Sequence, residues 1–399
     1  MLGIKEFDVI VIGAGPGGCA AAYDLAKAGR SVLLLDRRTF PRVKACAGAV
    51  TVKAVKALRY SIKPVVRDVA TNFAAGKGTD HTEVFRGDRP ICAMTVRSEL
   101  DQFCLERTIE AGAQFTSVSR WTDISQSAER VTVSTEGGSL SARFLIGADG
   151  SDSQVRRWCG GHPWTANGLA VEINYVRPPH RVEMEFDFGV VDGGYGWVFP
   201  KGDHVNVGLY TYKPNVPLPR AMLDDYCKAK VGTQPLDHVI GQRVGLGGAG
   251  YRPMNDRIFL VGDAAGLTDA LLGEGIYNAI RSGQEAAAAI LVELSGGQKA
   301  CAEYARRLAP IQKDVAECQR AATRFYKNVD VGYAALTSRV VRYALMKGYS
   351  MGMTFSATRK WFFVLPFLRA RPVKNLSEPR GGTHTHERPE SPRNSGLFY

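Results

Sequence analysis

The chain contains no run of about 18 consecutive apolar residues, so no helix is expected to cross a bilayer. It also lacks any C-x-x-C pair. Its eight cysteines (Cys19, Cys46, Cys92, Cys104, Cys159, Cys227, Cys301 and Cys318) are scattered along the sequence. A zinc or iron–sulfur centre has little to build on, and the pattern suits reduced, buried thiols in a cytoplasmic protein. No secretory leader is apparent, because a strand-like apolar run begins almost at once, at Asp8. No internal repeat and no nucleic-acid-binding module is visible, which leaves nucleic acid out of the expected partners.

What the chain does have is a large apolar fraction and an excess of positive charge. With 399 residues, 45% hydrophobic and 23% charged, it can bury a sizeable core, and two domains are expected. The formal net charge of +12 favours phosphorylated or acidic partners, or an anionic membrane surface.

The stretch from Phe7 to Asp36 organises the rest. Asp8-Val9-Ile10-Val11-Ile12 reads as a strand buried on both faces. It runs into Gly13-Ala14-Gly15-Pro16-Gly17-Gly18, a G-x-G-x-x-G with glycines at 13, 15 and 18. A helix is predicted from Cys19 to Ala28, then a second buried strand that ends on Asp36. Gly13 permits the tight turn, Gly15 lets backbone approach a pyrophosphate, and Gly18 lets the helix pack on the strand. The helix N-terminus offers free N–H groups and partial positive charge to phosphates. Asp36 lies 36 − 13 = 23 residues past the first glycine, where an acid reaches adenosine ribose hydroxyls. Asp36 also disfavours a 2′-phosphate, although Arg37 and Arg38 beside it weaken that exclusion. NAD and FAD both remain.

Further along, Phe40 to Ala49 reads as a loop, Thr51 to Leu58 as a short helix and residues 66–96 as β-rich. Arg97 opens a helix, and residues 114–146 read as a β-meander. Residues 167–211 read as strands of a second domain; in Val182 to Phe188 apolar and acidic side chains alternate, which predicts one packed and one wet face. Arg257 to Gly266 returns to the buried-strand pattern and should rejoin the first sheet. A long helix follows from about Gly275 to Leu294, with helical segments through residues 298–347. The tail from Val373 is expected to be disordered, so His384 and His386 there are not expected to hold a metal.

Three segments together, the N-terminal fingerprint, Asp149-Gly150 and Gly262-Asp263, resemble FAD-dependent oxidoreductases of the para-hydroxybenzoate hydroxylase-like fold. Within that group the chain is similar to the geranylgeranyl reductase family. The narrower likeness is carried by Pro41-Arg42-Val43-Lys44-Ala45-Cys46-Ala47-Gly48, similar to the family's P-x-x-K-x-C-G-G loop, and by Tyr195-Gly196-Trp197-Val198-Phe199-Pro200-Lys201, matching its Y-x-W-x-F-P-K segment. The resemblance spans about residues 5–300. Asp263 then decides for FAD: an acid at the end of a returning strand can accept hydrogen bonds from ribitol hydroxyls, which NAD lacks.

The resemblance implies roles for further residues. Arg97 approaches the cofactor phosphates or ribose. The backbone of Gly275 and Ile276 faces the flavin pyrimidine edge. Tyr195, Trp197 and Phe199 share one strand face; alone such a trio reads as core, and with the family likeness it reads as an apolar wall for a polyprenyl chain. Cys46 lies against the flavin and is the candidate catalytic residue, as proton donor or as a shaper of the pocket. Ala47 departs from the family's Cys-Gly-Gly. Leu272 and Glu274 stand where hydroxylases of this fold carry Pro and Gln, which points away from a hydroxylase.

The expected fold is α/β with an α+β second domain. A Rossmann-like FAD-binding domain (1–165 with 245–295) holds an inserted substrate-binding β-sheet domain (166–244), followed by a C-terminal helical region (296–372) and a tail (373–399). The expected function is saturation of geranylgeranyl or polyprenyl double bonds by reduced flavin, with NADPH or ferredoxin as reductant. The rivals are an aromatic monooxygenase or halogenase on the same fold, an electron-transfer flavoprotein component, and a lipid-binding protein with a vestigial nucleotide fold. The expected location is cytoplasmic, with peripheral contact at the inner membrane face through Trp361 to Leu368 and its flanking basic residues; packing of that stretch on the C-terminal helices is the alternative.

Overall fold

The computed structural model describes residues 5–79, 81–160 and 167–368. The tail, with His384 and His386, lies outside the described residues. The first strand, Lys5–Ile12, buries Val9 to Ile12 completely. It is flanked in parallel by Val32–Asp36 and Gly138–Gly147. Each such buried Val, Ile or Leu stabilises the fold by roughly 1.5–3 kcal/mol. The returning strand Ile258–Leu260 pairs in parallel with Gly138–Gly147, so it does rejoin the first sheet.

The stretch 114–146 is not one meander. Gln114–Ser117 pairs in parallel with Val32–Asp36 at the opposite edge, and only Trp121–Gln126, Val131–Thr135 and Gly138–Gly147 form antiparallel neighbours. The helix Arg97–Glu110 carries the chain to that far edge, and a helical crossover is what a parallel neighbour requires.

The second sheet orders its strands as Ile240–Gly245, Asn167–Val176, His204–Thr211, Gly194–Pro200, Met184–Phe188, Phe73–Lys77 and His81–Phe85. Two of these come from outside 166–244. Phe73–Lys77 pairs in parallel with Met184–Phe188, and Phe73 stacks on Phe85 with centroids 4.3 Å apart. Joining this sheet buries an apolar face made of Phe73, Ala75 and Phe85.

The acidic face of Met184–Phe188 is not wet. An unforeseen helix, Arg220–Lys230, covers it. Lys230 pairs with Glu185 at 2.8 Å and Asp187 at 3.1 Å, and the Tyr226 hydroxyl donates to Asp187 at 2.6 Å. Burial, then the neighbouring Glu185, push the Asp187 carboxyl upward. Leu223, Tyr226 and Cys227, at i, i+3 and i+4, are the signal that could have revealed this helix.

The long helix Ile276–Leu294 packs on the fingerprint helix Pro16–Lys27. Four more helices follow: Ala300–Lys327, Val329–Thr337, Arg339–Met351 and Phe355–Leu368. Among the described residues, no helix is long and apolar enough to cross a membrane.

Candidate functional site

The first strand ends in a turn that backbone atoms close on every side. Gly13 has φ +106°, and a Cβ there would lie 2.3 Å from the Ala148 carbonyl oxygen. A Cβ at Gly18 would lie 1.8 Å from the Gly13 carbonyl oxygen. Gly15 N-caps the helix Pro16–Lys27, and no side chain caps it, so its first N–H groups are open. Asp36 braces the turn: one carboxylate oxygen accepts from Ala14 N at 2.8 Å, the other from Arg38 N at 2.9 Å.

Asp263 follows the returning strand and accepts from the Thr268 hydroxyl at 2.8 Å. Gly275 N-caps Ile276–Leu294, again without a side-chain cap. A Cβ at Gly275 would come within 2.8 Å of Thr268 Oγ1 and 3.1 Å of Asp263 Oδ1. These two helix N-termini open into one cavity of about 950 Å³. Gly13, Gly15, Asp36, Arg37, Cys46, Arg97, Asp263, Gly275 and Ile276 line it, as do Tyr195, Trp197 and Phe199. Gly18 stands behind the turn and does not.

Near the glycine turn the wall is cationic. Arg97 is buried and grips Asp101 through two bonds of 2.9 Å. Arg42 reaches the same carboxylate at 2.9 Å. Lys44 also lines the cavity; burial, then the nearby Arg97, pull its ammonium below the usual lysine range. Arg37 lies over the Trp121 ring, 5.6 Å from its centroid.

The loop that carries Cys46 is tied at several points. Gly48 N donates to Cys46 Sγ at 3.4 Å, and the Gly48 carbonyl accepts from Thr95 Oγ1 at 2.8 Å. Lys201 Nζ donates to the Ala47 carbonyl. Behind the loop sits Glu172, facing the Cys46 backbone N–H and the Asn206 side chain. It is 4% exposed, and its Oε2 has no partner among the described residues. Burial pushes the Glu172 carboxyl up to about 7 and the Lys201 ammonium down to about 8. Neither residue was singled out from the sequence. The signal for Glu172 was an acid inside the apolar run Leu169 to Ile173; Lys201 stood only as the last letter of a motif.

A stability measurement follows from Glu172. Its carboxyl is raised from the ordinary 4.5 to about 7 in the folded chain. The folded state therefore binds more protons than the unfolded state within that window, and stability drains away as pH climbs through it. Glu172→Gln has no proton to lose there. Relative to the parent it should gain on the order of 3 kcal/mol between pH 5 and pH 8. Denaturant melts at the two pH values measure this; a mutant–parent difference that stays constant refutes it.

Away from the glycine turn the cavity becomes apolar. Tyr195, Trp197 and Phe199 wall it together with Phe73, Phe186 and Phe188. Their polar tips are spent on the protein itself. Trp197 Nε1 donates to Asn206 Oδ1 at 2.7 Å, and the Tyr195 hydroxyl donates to the Leu272 carbonyl at 2.5 Å. Tyr210 and Tyr326 do likewise to the carbonyls of Ala270 (3.1 Å) and Leu271 (2.6 Å). Three hydroxyls thus hold the turn that leads to Gly275. Glu274 in that turn accepts from Thr51 Oγ1 at 2.5 Å and pairs with Lys53 at 2.7 Å.

A dinucleotide fits this arrangement. A side-chain-free turn, an uncapped helix N-terminus and a cationic wall suit a pyrophosphate. Residues 6–174 match the family described as FAD binding domain. Fold and site together define a flavin-dependent oxidoreductase whose cofactor is FAD. The fold is shared with a geranylgeranyl bacteriochlorophyll reductase-like protein of Thermoplasma acidophilum (TM-score 0.71, 19% identity, 90% of this chain and 96% of that one). It is also shared with the halogenase PltM, solved with phloroglucinol and FAD (TM-score 0.62, 17% identity, 90% and 80%). In sequence the chain is 32% identical over 310 residues to menaquinone reductase of Mycolicibacterium smegmatis, covering 70% of this chain and 75% of that protein. It is 28% identical over 316 residues to geranylgeranyl diphosphate reductase of Rhodobacter capsulatus, covering 75% and 79%. The chain belongs to the geranylgeranyl reductase family of FAD-dependent oxidoreductases.

Proposed function

We propose that this chain saturates double bonds of a geranylgeranyl or longer polyprenyl chain held in the apolar arm of the cavity. One observation carries the reading: a single cavity runs from the glycine turn into an arm walled by aromatic rings, Phe73, Phe186, Phe188, Tyr195, Trp197 and Phe199 among them. Dinucleotide binding alone requires no such arm. The names of two relatives, a geranylgeranyl diphosphate reductase and a menaquinone reductase, support it, since both substrates carry prenyl chains.

Bound FAD, once reduced by an external donor such as NADPH or ferredoxin, supplies the hydride. The chain's own residues do the rest. The backbone at Gly13 and Gly15 takes the pyrophosphate, Asp36 the adenosine ribose and Asp263 the ribitol hydroxyls, while Arg97 adds positive charge to this wall. An ionised carboxylate has about four acceptor sites, so Asp36 and Asp263 keep capacity beyond the bonds they already accept. The N–H groups at Gly275 and Ile276 favour negative charge on the flavin pyrimidine edge by about 1–2 kcal/mol. The aromatic wall orients the alkene and excludes water, which matters because an unactivated alkene is a poor hydride acceptor. The Cys46 thiol holds the proton for the second alkene carbon, and Glu172 stands behind it.

Anaerobic turnover of dithionite-reduced enzyme with a geranylgeranyl lipid should give product heavier by two hydrogens per bond, read by mass spectrometry. Unchanged lipid, or oxygen consumption with an aromatic substrate instead, removes the proposal.

A further inference from the structure

We infer that the end of the helix Ala300–Lys327 and the two helices after it, Val329–Thr337 and Arg339–Met351, form a face that docks on an anionic lipid surface, with the apolar arm opening into that surface. The arm's position comes first. Arg324, Val331 and Ala335 both line the cavity and stand exposed, Val331 at 65%. They mark a mouth well separated in sequence from the exposed cofactor-side lining residues Arg37, Arg38 and Val43.

The segment that carries this mouth, residues 319–351, pairs grease with positive charge. Of the eight large hydrophobic residues that stand exposed among the described residues, three (Val331, Tyr343 and Met351) fall within 319–351. That segment is under a tenth of the chain, so the clustering is more than scatter. It carries six basic side chains, Arg320, Arg324, Lys327, Arg339, Arg342 and Lys347, against one acid, Asp330. Asp330 is taken by Lys77 at 2.5 Å, and Arg342 approaches Glu83 at 3.8 Å. The other five basic side chains have no ion pair among the described residues. Interleaved apolar and basic side chains fit the headgroup–acyl boundary of an anionic bilayer. An acidic protein would match the charge but would leave the exposed apolar side chains and the greasy mouth unexplained.

The stretch expected to touch a membrane, from Trp361 onward, is the weaker candidate. Thr358 is buried, and Arg359 is spent on Glu317 at 3.1 Å, which ties the start of the helix Phe355–Leu368 to Ala300–Lys327. The side chains beyond Phe362 lie outside the described residues. A mouth set in the docking face would let a prenyl chain slide from bilayer to cavity without crossing water. That delivery role rests on the proposed function; the docking itself does not.

The test is co-sedimentation of the full FAD-loaded chain with vesicles of phosphatidylcholine alone or mixed with phosphatidylglycerol. The parent should bind only the anionic vesicles, and more weakly at 1 M salt, where screening shortens to about 3 Å. The triple variant Arg320→Glu, Lys327→Glu, Arg339→Glu should bind at least about tenfold more weakly, since each basic residue near the surface contributes measurably to such binding. FAD content and melting temperature equal to the parent's show that the variant is folded. If the triple variant does not fold, Val331→Asp takes its place with the same expectation. A parent that ignores anionic vesicles, a variant that binds like the parent, or binding lost only on removal of residues 369–399 overturns the inference. Docking by a chain that saturates no prenyl bond would leave the inference standing and remove the proposed function.

Discussion

A Gly18→Ala chain will purify colourless, whereas Gly29→Ala will stay yellow. The two substitutions add the same methyl group and differ only in what it meets. At Gly18 the new carbon would sit 1.8 Å from the Gly13 carbonyl oxygen and 3.2 Å from Ala148 Cβ. The obstacle is backbone, so relief requires the turn itself to open, and that turn is what a pyrophosphate would rest on. Overpacking costs typically ~1–3 kcal/mol and more where backbone must shift, and here the cost falls on cofactor binding and folding together. Gly29 ends the fingerprint helix at φ +75° with nothing within 4 Å of its added carbon. Its penalty is the left-handed strain alone, about 1–2 kcal/mol. The ratio of flavin to protein absorbance, with thermal melts of both variants, decides. A yellow Gly18→Ala protein would mean that the turn does not have the geometry described.

Cys46→Ala will keep its FAD and its rate of flavin reduction, and will saturate prenyl double bonds at least about a hundredfold more slowly, the usual loss when a positioned proton donor is removed. The thiol lines the cavity beside the Arg97 guanidinium, and its sulfur accepts from Gly48 N. Alanine keeps the backbone bond from Thr95 N to the Gly48 carbonyl and deletes the thiol, together with the contact its sulfur makes with Gly48 N. Cys46→Ser, which retains a donor of similar size, should fall between. Single-turnover mixing separates the two half-reactions. A slowdown under tenfold for Cys46→Ala, or equal loss for Ala and Ser, would assign the thiol to packing and not to proton transfer.

Much of the first sheet was readable because its strands are buried on both faces and therefore appear as unbroken apolar runs: Val9 to Ile12, Val32 to Leu35, Ile258 to Val261. Runs of that kind carry their own identity. The second sheet was less readable because burial there depends on partners distant in sequence. Nothing local to Phe73–Lys77 says that it will lie beside Met184–Phe188. Nothing in the alternating acids of that strand says that Lys230 and Tyr226 will cover them. The site divides in the same way. Gly13 and Gly15 were legible because a tight turn against a pyrophosphate needs residues without side chains, Asp36 because an acid follows those glycines at a set spacing, and Gly275 through the family likeness. Glu172, Lys201 and Arg42 were not, because a buried charge is defined by what surrounds it, and those surroundings come from three separate regions of the chain.

The three tyrosine hydroxyls on the carbonyls of residues 270–272 have a cost for anyone redesigning this enzyme. Tyr195, Tyr210 and Tyr326 face the greasy arm or pack beside it, yet each is also a guy-rope on the turn that sets the start of Ile276–Leu294. Carving any of them to admit a bulkier tail would slacken the flavin's electrostatic anchor as well. Under the proposed function, tail length and flavin electrostatics would be linked traits, and variants that change one alone would fall instead at cavity-lining positions with no hydroxyl to act as a tether, such as Leu336, Val341 and Leu345.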